Sequence, residues 1–139
     1  MVTITEKSRS AVVALTELAQ RGSAVPVPIL EVSEARAIPL HFLEQLFAGL
    51  RRAGVLHSQR GVKGGYSFQR PPSEVTVLEV VEAVDGRITP PRGAEESARG
   101  TEFVWAEARA ALADLLSGVT IADMVEREAR LQDAPMFYI

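Results

Sequence analysis

The sequence predicts a mostly α-helical protein with one small two-stranded β-wing: a winged helix-turn-helix domain followed by a long C-terminal dimerisation helix. Three observations carry this expectation. Apolar residues recur at helical spacing along most of the 139 residues. Residues 38–68, IPLHFLEQLFAGLRRAGVLHSQRGVKGGYSF, read as an amphipathic helix, a stop at Gly54 and two short β-prone runs around a glycine-rich tip. From Gln45 to Ser73 there is no Asp or Glu, while Arg51, Arg52, Arg60, Lys63 and Arg70 all fall there. In a chain of net charge −3 such a gap marks a surface for an anionic partner.

The first helix is expected over residues 5–21. Thr5 is its N-cap, Ala11, Leu15, Leu18 and Ala19 form its apolar stripe, and Gly22 with Ser23 ends it. Lys7 and Arg9 sit in its first two turns, where the helix dipole favours anions, and are candidates for phosphate contact. Pro26 and Pro28 bracket a break before a short second helix that runs to about Arg36. The turn through Ala37 and Ile38 places Pro39 at the first position of a third helix, the spacing of a helix-turn-helix.

On that third helix, Leu40, Leu43, Phe47 and Leu50 are expected to be buried, with Phe42 and Leu46 flanking them. His41, Glu44, Gln45, Ala48 and Arg52 share the opposite face. Such a face suits a major groove: Gln45 matches adenine and Glu44 the amino group of cytosine. A solvated surface is the bland alternative. After Gly54, residues 55–58 and 66–69 read as a strand pair, and the loop between them holds Arg60, Gly61, Lys63, Gly64 and Gly65. Glycine lets the backbone lie close to a sugar–phosphate wall, and Arg60 or Lys63 is then placed for a minor groove or its phosphates. A nucleotide-phosphate loop is excluded, because the Gly-Lys-Ser/Thr ending and a surrounding βαβ pattern are both missing.

Pro71-Pro72-Ser73 marks the divide between the two halves of the sequence. Thr76-Val-Leu-Glu79 reads as a capping box opening a fourth helix that ends near Asp85 and Gly86. Residues 86–101 are expected to form a mobile loop. A long helix over about 103–117 carries Trp105, Ala108, Leu112, Leu115 and Leu116 inward, and its many alanines permit close approach of a second helix across a dimer seam. Packing within one chain is the alternative. Thr120-Ile-Ala-Asp123 opens a last short helix, and the apolar tail from Pro135 is expected to dock. The division expected is therefore 1–85 for the winged domain, 86–101 for the loop, and 102–139 for the dimerisation helix, short helix and tail.

Charge divides along the same line. Residues 1–73 hold nine Lys/Arg against five Asp/Glu, and residues 74–139 hold six against thirteen. A basic front joined to an acidic back points to a polyanion at the front. There is no cysteine, which excludes disulfides, thiolate-ligated iron–sulfur clusters, cysteine zinc sites and cysteine nucleophiles. No apolar run approaches the roughly 18 residues of a membrane span, and no signal-like stretch opens the sequence, so a soluble cytoplasmic protein is expected. The two histidines, His41 and His57, stand on the candidate DNA face and in the wing, so neither an enzyme nor a cofactor is expected. A metal site built from Glu95, Glu96, Glu102 and a histidine is a weak alternative.

Taken together, Phe42-Leu-Glu-Gln-Leu46, Leu50-Arg-Arg-Ala-Gly54, Arg60-Gly-x-x-Gly-Gly-Tyr66, Val80-Val-Glu-Ala-Val-Asp85, Trp105 and Thr120-Ile-Ala-Asp123 resemble the Rrf2 family of bacterial winged helix-turn-helix regulators over almost the whole chain. The resemblance implies a homodimeric transcriptional regulator, commonly a repressor, reading a pseudo-palindromic site on double-stranded DNA. It implies that Glu44 and its face touch bases, that Arg60 and the wing enter a minor groove, and that the helix from Phe103 pairs across subunits. This chain departs from the pattern at several places. The three cysteines with which many relatives hold an iron–sulfur cluster are missing, and Glu102 stands where some relatives have a cluster-ligating histidine. Ala37 replaces a turn glycine, at a cost of about 1 kcal/mol if that residue is left-handed. Ser10 replaces an aromatic. The signal is left open: a small-molecule effector held near Trp105, an enzyme partner, or none. A protein-docking module is the alternative function.

Overall fold

A computed structural model describes residues 5–22, 25–88 and 101–133. Six helices and one hairpin follow one another as α1 (Glu6–Gln20), α2 (Ile29–Arg36), α3 (Leu40–Arg52), β1 (Leu56–Gln59), β2 (Gly65–Phe68), a 3₁₀ turn (Pro72–Glu74), α4 (Val77–Asp85), α5 (Glu102–Ser117) and α6 (Ile121–Asp133). The expected mostly helical fold with a two-stranded wing is what forms. The tail from Pro135 and most of the expected 86–101 loop, with Glu95 and Glu96, lie outside the described residues.

Local chemistry starts three of the helices. Thr5 accepts the Lys7 backbone N–H at 3.1 Å. Thr76 accepts that of Glu79, also at 3.1 Å. Thr120 and Asp123 cap one another, through Thr120 N–H to Asp123 Oδ2 at 2.9 Å and Asp123 N–H to Thr120 Oγ1 at 3.1 Å. By contrast α2 and α3 begin at Pro28 and Pro39 without any side-chain cap, and Pro39 stands one residue before the helix rather than in it. The junction between them turns on Ala37, at φ 53° and ψ 43°, the left-handed region that the missing glycine would have occupied freely.

One core joins α1, α2, α3, the wing, α4 and the start of α6, with Leu15, Leu43, Phe47, Leu50, Val80 and Ile121 fully buried. The α3 stripe differs from expectation at one end. Leu46 is buried with Leu43, Phe47 and Leu50, whereas Leu40 and Phe42 are only half covered. Leu40 opens the helix beside the turn, where fewer elements reach it. α6 exceeds the short helix expected, at 13 residues. Its start is tied into the winged domain by Ile121 N–H to Val75 O at 2.9 Å and Val77 N–H to Val119 O at 2.8 Å.

On the long helix α5 the alternative of packing within one chain is not what forms. None of its residues is buried within the chain. Leu112 and Leu116 pack beside Val77, Val81 and Ile88, but Trp105 and Leu115 are 57% and 65% exposed, and Ala108 is exposed too. Trp105 is therefore no anchor of this protomer's own core.

Candidate nucleic-acid interface

The wing is held on three sides. β1 and β2 pair antiparallel from Leu56–Phe68 to Gln59–Gly65, and Val27 adds a third short rung, with Val27 N–H to Tyr66 O at 2.9 Å and Tyr66 N–H to Val27 O at 2.8 Å. Sequence reading missed this rung. The signal was Val27 set between two prolines, since a residue before proline is pushed toward extended backbone. Tyr66 also meets Phe47 of α3 edge to face at 5.0 Å, and Arg51 donates to Ser58 Oγ at 3.2 Å. Helix and hairpin are thus one body. Two glycines make this possible by having no side chain: a Cβ at Gly65 would lie 2.3 Å from Val27 O, and one at Gly64 2.2 Å from Gln59 O.

On the outer side of that body, His41, Glu44, Gln45 and Arg52 are exposed along α3, and Ala48 is half covered between them. Gln45 Nε2 and His41 Nε2 stand 3.5 Å apart. Beyond the hairpin, Arg60, Gly61 and Lys63 are exposed and Gly64 is partly covered at the loop's close; Val62 stands fully in solvent at the tip. Among the described residues Arg52, Arg60 and Lys63 have no ion-pair partner. Arg70 belongs elsewhere. It pairs with Glu79 and donates to Glu74 O at 3.3 Å, and its bonds to the Glu79 carboxylate raise its pKa, so its counter-charge is internal.

The structure separates Lys7 from Arg9. Lys7 borders a small cleft with Gln45, Gly49 and Arg52, beside the α3 face. Arg9 instead borders both the groove toward α5 and α6 and a cleft beside Arg36, Ala37 and Ile38, in loose contact with Glu6 at 3.7 Å. Nor is the N-terminus of α1 vacant for a phosphate. Asp85, from the end of α4, receives the Thr5 N–H at 3.1 Å, the Thr5 hydroxyl at 2.7 Å, and the Ser8 hydroxyl. Partial burial pushes the Asp85 carboxyl up, but the bonds from Ser8 and Thr5 outweigh it and leave it below the usual carboxylate range. No local pattern announces a cap 80 residues away.

Between the winged domain and α5 there is an apolar groove of about 250 Å³, bordered by Val12, Val13, Val77, Val81, Leu116 and Met124. Trp105 is not in its wall. No helix among the described residues is long and apolar enough to cross a membrane.

Comparison with known proteins agrees with this geometry. The Rrf2 family model, described as an iron-dependent transcriptional regulator, matches residues 4–127. The HTH-type transcriptional regulator IscR of Aliivibrio salmonicida is 35% identical over 134 residues, 91% of this chain and 80% of that one. Among solved structures, CymR, the global cysteine regulator of B. subtilis, superposes with a TM-score of 0.78 at 28% identity, covering 91% of this chain and 98% of that one. IscR of T. potens gives 0.77 at 29% identity over 99% and 97%. The residues present here do not fit a cluster held by thiolates. The sequence has no cysteine, and among the described residues no three His, Asp or Glu side chains come together as metal ligands.

Proposed function

Because the chain belongs to the Rrf2 family of transcriptional regulators, and so is a sequence-specific DNA-binding protein rather than an enzyme, we propose that it acts as a cytoplasmic homodimer reading a pseudo-palindromic operator. It does so without an iron–sulfur cluster. Each protomer offers α3 to a major groove and the wing to the adjoining minor groove. The observation that carries this reading is the set of cations without internal partners, Arg52, Arg60 and Lys63, beside exposed His41, Glu44 and Gln45 on one braced body. Exposed cations release counterions from phosphates, and the polar side chains between them discriminate base edges. Lys7 extends the phosphate-contacting rim past the start of α1, and Gly61 and Gly64 let the wing approach the groove wall.

The seam between protomers is α5. Phe103, Val104, Trp105 and Leu115 each keep more than half their surface in water, and a second α5 covers them together with Ala108. Leu112 and Leu116 support that seam from the α4 side. On this division residues 1–85 form the DNA-reading unit and residues 102–139 the pairing unit. Repression is the direction of control proposed, on the family resemblance alone.

Binding measured against salt tests the reading. Lys63→Ala should weaken binding to every duplex and lower the slope of log affinity against log salt by about one, since one phosphate contact is lost. Glu44→Ala should leave that slope unchanged and reduce discrimination at one base pair of each half-site, by about tenfold or less. Equal, sequence-indifferent binding by all three proteins would refute it.

A further inference from the structure

α1, α2 and α6 meet at a single guanidinium. Arg36, the last residue of α2, donates from Nε to Glu17 Oε1 at 2.9 Å, and from Nη1 and Nη2 to the two oxygens of Glu128, both at 3.0 Å. Its Nη2 also reaches Gln20 Oε1 at 3.1 Å. The group is largely covered, with the Arg36 and Glu17 side chains 19% and 15% exposed and Glu128 31%. Glu17 has no oxygen to spare, because Arg21 occupies the other at 2.7 Å. The bond from Arg36 holds the Glu128 carboxyl below its usual range, and Glu128 in turn raises Arg36. Of the ties that α2 makes here, the two-pronged one runs to α6.

The next residue is Ala37, in the left-handed conformation that disfavours a side chain. Around it the hydrogen bonds are local, Ile38 N–H to Ser33 O at 3.0 Å and Ser33 Oγ to Ile38 O at 2.5 Å, and Ile38 itself is seated in the core. α3 starts without a side-chain cap, so the Ala37 dihedrals set how its first turn enters, while Leu43, Leu46, Phe47 and Leu50 seat its body in the core. A strained residue persists only where its surroundings over-determine it.

We propose that Arg36 and Glu128 are positioning residues for DNA recognition: by clasping the end of α2 to α6 they hold Ala37 left-handed, and so set the angle at which α3 meets a groove. The inference rests on the reading that α3 contacts bases. It makes the seating of α6, in the pairing half of the chain, a determinant of operator affinity in the reading half.

The test is a double-mutant cycle on the full chain. Glu128→Gln keeps the shape and removes the charge, while Ala37→Gly removes the strain that the clasp opposes. Affinities for the operator and for an unrelated duplex are measured about 20 °C below the melting transition, where a purely structural weakening leaves the folded fraction unchanged. Glu128→Gln should weaken operator binding by about tenfold, a common size for coupling between contacting residues, with binding to the unrelated duplex and the salt slope unmoved. In the Ala37→Gly background the same change should cost less than about twofold, because glycine adopts the left-handed turn without the strain that the clasp opposes. Arg36→Lys, which grips one carboxylate instead of three partners, should behave as Glu128→Gln does. Equal effects in both backgrounds, or a lowered melting temperature with operator affinity intact, would overturn the coupling. Should the parent itself fail to prefer any operator, the DNA-reading assignment falls and the coupling with it.

Discussion

The wing and the helix-turn-helix junction both carry arginine, and they use it in opposite ways. At the junction Arg36 is four-fifths buried and spends its donors on Glu17, Gln20 and Glu128. On the wing Arg60 stands in solvent with no ion-pair partner among the described residues, as does Lys63. The difference teaches where the counter-charge of a cation is to be sought. Where it is internal, the arginine fastens helices together; where it is missing, the arginine is available to a polyanion. Arg70 sits in the acid-free stretch of sequence but belongs with the first kind, because Glu79 of α4 folds back onto it.

The strongest way to break this contrast is to unseat the wing. Gly65→Ala places a Cβ against the Val27 carbonyl at a φ of +152°, and should lower unfolding stability by about 2–4 kcal/mol in urea titrations while removing measurable operator binding. Next in size, Trp105→Asp puts a charge into the proposed seam. Light scattering at micromolar concentration should then give a monomer, with half-site binding surviving only weakly.

Substituting single cations sharpens the contrast. Arg60→Ala should weaken operator binding by about tenfold at 100 mM salt and reduce the salt slope by about one, with the melting temperature within about 1 °C of the parent. Arg70→Ala should do the reverse, leaving the salt slope alone and costing under about 1 kcal/mol of stability, as befits a half-exposed pair. The two results together decide whether the location of the counter-charge separates structural from functional arginines.

The smallest effect is on acid stability. Asp85, Glu17 and Glu128 all titrate below the ordinary carboxylate range in the folded chain. In Asp85 and Glu17 burial opposes the shift and is outweighed by bonds, from Ser8 and Thr5 in one and Arg21 and Arg36 in the other; in Glu128 the bond from Arg36 leads. The unfolded chain therefore takes up protons first. The stabilisation is complete above the unfolded carboxylate values, near pH 4, and is lost as pH falls through the lower folded values. Urea midpoints should be level from about pH 8 to 5.5 and decline below about pH 4. Asp85→Asn should make that decline shallower.

Features set by neighbouring residues were legible in the sequence. The caps at Thr5, Thr76 and Thr120, the stop at Gly54 and the hairpin around Gly61, Gly64 and Gly65 all follow from side chains within a few positions of one another. The exposed face of α3 was legible too, because helical periodicity is a local property. What escaped was non-local. Asp85 over the start of α1, Val27 as the third rung of the wing, and Arg36 clasped by Glu17 and Glu128 join residues far apart in sequence; the prolines around Val27 mark it as extended but no short pattern names any of the three partners. What covers Trp105 was not legible for a related reason: within the protomer it is exposed, which removes packing in its own core and leaves the seam as the proposal. An apolar stripe says that something covers it, not whether the cover comes from the same chain.

Selection of bound duplexes from a random pool tests the central claim most directly, because it reads specificity and symmetry at once. The expected result is enrichment of an inverted repeat whose two half-sites are spaced for two α3 helices, flanked by positions sensitive to Arg60→Ala. A pool that returns unenriched, or a single asymmetric site bound by one protomer, would contradict it.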